Sequence, residues 1–85
     1  MVSILVVDDE ASMRLALGAA LRRRGYKVKT AASASEAASL LSSNTFDVVV
    51  TDLRLSDGSG MDVVRLAKES DPSAEVLVMT AYATV

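Results

Sequence analysis

The sequence predicts one small α/β domain: an open parallel sheet with helices on both faces. Three observations predict it. Short apolar runs rich in β-branched residues alternate with stretches of helical periodicity, in the order β-α-β-α-β-α-β. The connections between them are short. Three of the apolar runs end on oxygen-bearing side chains: Asp8 and Asp9, then Asp52, then Thr80.

The first strand is read from Ser3 to Val7, nearly continuous in apolar residues, as in a strand covered on both faces. From about Ala11 to Arg24, Met13, Leu17, Ala20 and Leu21 fall on one helical face, and Gly25 follows as a stop. Lys27 to Thr30 is a brief, more polar strand that belongs near an edge. Ser33 and Glu36 form an S-x-x-E capping box opening a second helix, which buries Ala37, Leu40 and Leu41 and ends near Asn44. Phe46 to Thr51 holds Val48-Val49-Val50, the third strand, and ends on Asp52. Leu55 to Gly60 reads as a loop with two glycines; a third helix runs from about Met61 to Glu69, with Pro72 just beyond it. Glu75 to Met79 is the fourth strand, ending on Thr80. Neither an internal repeat nor an interdomain linker is visible.

Composition narrows the function. With 51% hydrophobic residues the chain is no disordered tail. Nine basic residues against eleven acidic ones, a net charge of -2, argue against a nucleic-acid surface. Arg22-Arg23-Arg24, the one basic cluster, falls at a helix end, where it favours the negative end of the helix dipole. There is neither cysteine nor histidine, which excludes disulfides, Ser-His catalysis and histidine ligation of metals. No signal peptide is evident, and no apolar run approaches the ~20 residues that span a bilayer. These features suit a cytoplasmic domain.

Ligands of open parallel sheets bind beyond the carboxyl ends of the strands, where the strand order reverses. Asp8 and Asp9 follow the first strand and Asp52 the third, and all three would share that crevice. Three carboxylates there need a compensating charge. Without histidine or cysteine the fitting cation is a hard one held by oxygens, Mg²⁺ first. An aspartate beside such a metal can attack a phosphoryl group and become an aspartyl phosphate, while the metal offsets charge on the transferring group. Thr80 could donate its hydroxyl to a phosphoryl oxygen. Each residue has a plainer reading alone: Asp8-Asp9-Glu10 suits the positive end of the next helix, Asp52 can open a turn, and threonine at a strand end is ordinary. The Gly58 and Gly60 spacing is no dinucleotide fingerprint, lacking a third glycine. The case is the coincidence of the three.

LVVDDE, DVVVTDLRLSDGSG and VLVMTAYATV together resemble the receiver domain of two-component response regulators. MTAYATV resembles in particular the receivers of bacterial enhancer-binding transcription activators. The resemblance implies a flavodoxin-like sheet of order 2-1-3-4-5, represented here by four strands in order 2-1-3-4 and three helices. It implies that Asp52 accepts a phosphoryl group from a sensor histidine kinase's phosphohistidine and thereby controls an output such as transcription. Asp9 would ligate Mg²⁺ directly and Asp8 mainly through water, with Asp52 and the backbone carbonyl of Arg54 as further ligands. Thr80, with the N–H of Ala81, would bind the phosphoryl group and report its arrival; Arg54 and Tyr82 would flank the pocket mouth. Such a module is not an enzyme beyond its own phosphorylation and dephosphorylation, and nucleic acid is reached only through a separate output domain.

Two departures from the family pattern stand out. Ser56 occupies a position where many receivers have proline. The chain also carries no counterpart of the family's fourth helix, fifth strand and fifth helix, nor of the lysine that contacts the phosphoryl group; Lys27 and Lys68 do not match it in position. As a partial receiver it is expected to be phosphorylated slowly or not at all, since one missing charge-stabilising donor costs roughly 3 kcal/mol. The open fourth-strand edge, Val76 to Met79, and the apolar surface around Met13, Leu17 and Leu21 predict a homo-oligomer, with Ala81 to Val85 lengthening the strand. Two other functions compete: a self-associating structural fragment, and a Mg²⁺-dependent phosphatase or phosphotransferase. Haloacid-dehalogenase-type enzymes need a second aspartate two residues after the first, where Arg54 stands.

Overall fold

Alternation between polar-poor strands and helices with one apolar side generates the chain's architecture directly. The structure, a computed structural model, describes residues 1–79. Its elements are β1 (Ser3–Val7), α1 (Ala11–Arg23), β2 (Lys27–Ala31), α2 (Ala34–Ser43), β3 (Val48–Asp52), β4 (Arg54–Leu55), β5 (Gly58–Ser59), α3 (Gly60–Ser70) and β6 (Glu75–Met79). Four strands form one parallel sheet of order β2-β1-β3-β6. This is the expected 2-1-3-4 order, with β6 as the fourth main strand.

Side chains alternate across that sheet and build two cores. Leu5, Val7 and Val49 point to one side and meet Ala37 and Leu41 of α2 and Val63 and Ala67 of α3. Ile4, Val6, Val28 and Val50 point to the other, where Leu17 and Leu21 of α1 cover them. Burying each large aliphatic side chain contributes about 1.5–3 kcal/mol, so β1, buried from Ile4 to Val7, is the keel of the domain.

Helix ends follow local chemistry. Ser33 accepts the Glu36 N–H at 3.1 Å and caps α2. Gly25, at φ 90°, adopts the left-handed conformation that turns the chain from α1 into β2. Ser59 caps α3 by accepting the Met61 N–H at 3.1 Å, while the Asp62 carboxylate accepts the Ser59 N–H at 3.3 Å.

Three details differ from the sequence-based expectation. The stretch read as a loop from Leu55 to Gly60 contains an antiparallel ribbon, β4 paired with β5, turning at Ser56-Asp57. Two strands of two residues are too short to show alternation, which is why the sequence does not reveal them. Met13 is 44% exposed rather than packed beside Leu17 and Leu21, because α1 meets the sheet only along its later turns. On the β6 edge, Val76 packs into the α2–α3 core, whereas Leu77 and Val78 are 58% and 42% exposed. Among the described residues no helix is long and apolar enough to cross a membrane. Thr80, Ala81, Tyr82 and the tail to Val85 lie outside the described residues.

Candidate functional site

β1 and β3 run parallel and adjacent, paired from Ile4–Val48 to Val7–Thr51, so both end at the same edge of the sheet. The residues just past that register are Asp8 and Asp52. Carboxylate oxygens of Asp8, Asp9 and Asp52 lie within 4.8 Å of one another. Asp8 is buried, Asp52 half-buried and Asp9 exposed, a gradation that makes a crevice open to solvent on one side.

The backbone fixes each acid. The Asp8 N–H donates to the Ala31 carbonyl at 3.1 Å, continuing the β1–β2 ladder one step beyond the strands. Its Oδ1 accepts the Glu10 N–H at 2.9 Å, and its carbonyl accepts from Arg14 Nη1 at 2.7 Å. Burial pushes the Asp8 carboxyl above the ordinary carboxylate range; the Glu10 N–H opposes this, and the charges of Asp52, Asp9 and Glu10 add to it. A buried acid held among like charges is the arrangement a bound cation relieves.

After Asp52 the chain reverses sharply. The Leu53 N–H donates to the Met79 carbonyl at 2.8 Å, and the Leu53 carbonyl accepts the Gly60 N–H at 2.8 Å. Gly60 therefore lies directly against the backbone of Asp52 and Leu53. The Arg54 N–H points at Asp52 Oδ1 at 3.4 Å, so the Arg54 backbone stands beside the acid cluster, and its side chain is exposed.

A residue that sequence reading passes over ties this loop down. Asp57, in the turn of the β4–β5 ribbon, accepts the Ala34 N–H at 2.8 Å and the Ser35 N–H at 3.0 Å. Those two hydrogen bonds at the start of α2 hold its carboxyl below the ordinary range. The Asp57-Gly58 pair signals a turn, but a partner 23 residues away cannot be read from local pattern. Thus the structure brings Asp8, Asp9, Asp52 and the Arg54 backbone together. Thr80, Ala81 and Tyr82 follow β6 in sequence and fall outside the described residues.

Three acids at the carboxyl edge of a parallel sheet define a hard-cation, oxygen-donor site within an α/β module. The family model that describes the response regulator receiver domain matches residues 4–85, and the chain belongs to that family. It is 35% identical over 83 residues to the photosynthetic apparatus regulatory protein RegA of Cereibacter sphaeroides, covering 98% of this chain and 45% of RegA. It is 38% identical to the response regulator protein PilR of Pseudomonas aeruginosa, over 95% of this chain and 18% of PilR. The chain thus spans less than half the length of these curated relatives. Among solved structures, a Burkholderia pseudomallei response regulator with a phosphorylated aspartic acid, calcium ion and citrate superposes with TM-score 0.93 at 33% identity, covering all of this chain and 50% of that one. TrrA from Thermotoga maritima, in complex with Mg²⁺-BeF, superposes with TM-score 0.90 at 34% identity, over 98% of this chain and 72% of TrrA.

Proposed function

We propose that this chain is the phospho-acceptor module of a cytoplasmic two-component response regulator. Asp52 accepts a phosphoryl group from the phosphohistidine of a sensor histidine kinase, with Mg²⁺, and the modification controls an output, transcription in the first instance. The observation that carries this reading is the convergence of the Asp8, Asp9 and Asp52 carboxylates within 4.8 Å.

Asp8 and Asp9, together with Asp52 and the Arg54 carbonyl, would hold the ion. When bound, Mg²⁺ supplies charge that offsets that of the transferring phosphoryl group. The chain's own part is geometric. The hydrogen bonds of Leu53 and Gly60 fix where Asp52 emerges, so that its carboxylate faces the donor; Asp8 is locked by Ala31, Glu10 and Arg14. An Asp52 oxygen attacks phosphorus as the bond from phosphorus to the histidine nitrogen breaks, and that nitrogen leaves with the electron pair. By the family resemblance, Thr80 and Ala81 would receive the phosphoryl oxygens, and Arg54 and Tyr82 would border the mouth. The chain catalyses nothing beyond its own phosphorylation and dephosphorylation. Incubation with Mg²⁺ and a small acyl phosphate, followed by intact-mass measurement, is expected to show slow gain of at most one phosphoryl group; rapid, stoichiometric gain would overturn the expectation that the missing lysine slows transfer. Gain in Asp52→Asn would remove Asp52 from this role, and equal gain without Mg²⁺ would remove the ion.

A second reading, self-association, is favoured by the exposure of Leu77 and Val78 on β6, which pairs only with β3 among the described residues. Strands with a bare apolar edge recruit another chain. Light scattering is expected to give a dimer that dissociates in Leu77→Lys; a wild-type monomer at micromolar concentration excludes it.

A further inference from the structure

The basic residues of α1 do not all do what their position suggests. Arg22, Arg23 and Arg24 are all exposed at the helix end, but Arg22 also donates from Nη2 to the Val28 carbonyl of β2 at 3.1 Å. Its guanidinium lies over Gly18: a Cβ added there would stand 3.4 Å from Arg22 Nη1 and 3.7 Å from Thr30 Cγ2. Gly18 therefore makes room for that arginine. From the other end of the helix, Arg14 donates from Nη1 to the Asp8 carbonyl at 2.7 Å. Both arginines line one open cleft of about 370 Å³, together with Ala11, Leu15 and Thr30.

Neither arginine forms an ion pair among the described residues. A guanidinium carries five N–H donors in a planar fork, and a single backbone carbonyl takes one or two of them. The rest suit oxyanions, which such forks bind through paired, charge-assisted hydrogen bonds. The spacing of the two anchors specifies the ligand further. Val28 and Ala31 are three steps apart on β2, roughly 10 Å along a strand, and the Asp8 N–H bonds to the Ala31 carbonyl. The carbonyls that hold the two arginines, those of Asp8 and Val28, belong to neighbouring strands and stand at least about that strand length apart. One phosphate meets one guanidinium; a molecule with two acidic groups meets both.

We propose that the α1–β2 cleft binds a small molecule carrying two acidic groups, one taken by Arg14 and the other by Arg22. This cleft adjoins the carboxylate trio through the Arg14 hydrogen bond to the Asp8 carbonyl, but it uses none of the three carboxylates and does not depend on phosphotransfer.

The test follows the arginine Nε–Hε signals of the metal-free chain by NMR at constant ionic strength, with pyrophosphate, citrate and inorganic phosphate as probes. Signals of Arg14 and Arg22 are expected to move together and to saturate. Pyrophosphate or citrate should bind at least about tenfold tighter than phosphate, as one added charge-assisted contact supplies. The tighter of the two tells whether the acidic groups are phosphates or carboxylates. Arg14→Gln and Arg22→Gln should each remove most of that advantage, and Arg23→Gln none of it. Arg14→Lys, which retains a cation able to hold the Asp8 carbonyl, should bind at an intermediate level and keep the fold. Unsaturable shifts with all three anions, or equal weakening in Arg23→Gln, would overturn the proposal.

Discussion

Gly60→Ala is expected to destabilise the domain by about 3 kcal/mol, the upper range for forcing extra volume into a packed site, and to displace Asp52. The substitution looks harmless from sequence, because alanine is the better helix former by up to ~1 kcal/mol and Gly60 opens α3. Space decides the sign. A Cβ at this position would collide with the Asp52 carbonyl oxygen and stand 3.0 Å from both Asp52 C and Leu53 Cα, all of them backbone that cannot swing aside. Relief requires α3 to pull away from the end of β3, breaking the Gly60-to-Leu53 hydrogen bond of 2.8 Å. Thermal melting should fall by roughly 12–24 °C in a domain of this size, and the Asp52 amide should shift in NMR spectra. Gly58→Ala is the control. There a Cβ meets the Asp62 carboxylate at 3.4 Å and the Ala34 methyl at 3.7 Å, contacts that flexible atoms accommodate. A Gly60→Ala melt as mild as that of Gly58→Ala would show that the close approach does not constrain the loop.

This contact also marks where sequence reasoning stops. The acid trio is legible because the Asp8-Asp9 pair follows one apolar strand and Asp52 ends another, and parallel neighbours must end at one edge. Asp57 and Gly60 are not, because their roles depend on partners that the chain brings near only after folding: the start of α2 for one, the Asp52 backbone for the other. Glycine in a D-G-S-G stretch signals a turn whether or not a neighbour presses on it. The arginine run likewise reads as three cations at a helix end, yet Arg22 reaches a β2 carbonyl across a space that Gly18 leaves open. Met13 obeys helical periodicity and is still exposed, since periodicity gives a face and not how far the sheet extends beneath it.

Asp8→Asn is expected to stabilise the metal-free domain at neutral pH while weakening its response to Mg²⁺. With oxygens within 4.8 Å, each carboxylate pair repels by about 1 kcal/mol in water and about 3 kcal/mol at the effective dielectric of a protein surface. Asp9 is exposed, which favours the smaller figure for its share. Asparagine keeps an acceptor for the Glu10 N–H now bound at 2.9 Å, so charge is removed without losing that hydrogen bond. The expected gain is about 1–2 kcal/mol. Its pH dependence has a definite sign. Burial raises the Asp8 carboxyl, so the folded state holds its proton more tightly than the unfolded chain does. Wild-type stability from this group is complete below the unfolded value, near 4, and is lost as pH rises through the raised folded value. The variant's advantage should therefore be small at about pH 3 and full at pH 7. Mg²⁺ reverses the order. A ligand that binds only the folded chain adds about 2.7 kcal/mol at a hundred times its Kd, and wild type, with all three carboxylates, should gain more than the variant. Melts at both pH values, with and without Mg²⁺, separate these effects. Equal Mg²⁺ stabilisation of the two chains would take Asp8 out of the metal site, and a less stable Asp8→Asn at neutral pH without metal would show that repulsion among the acids is not what the bound cation relieves.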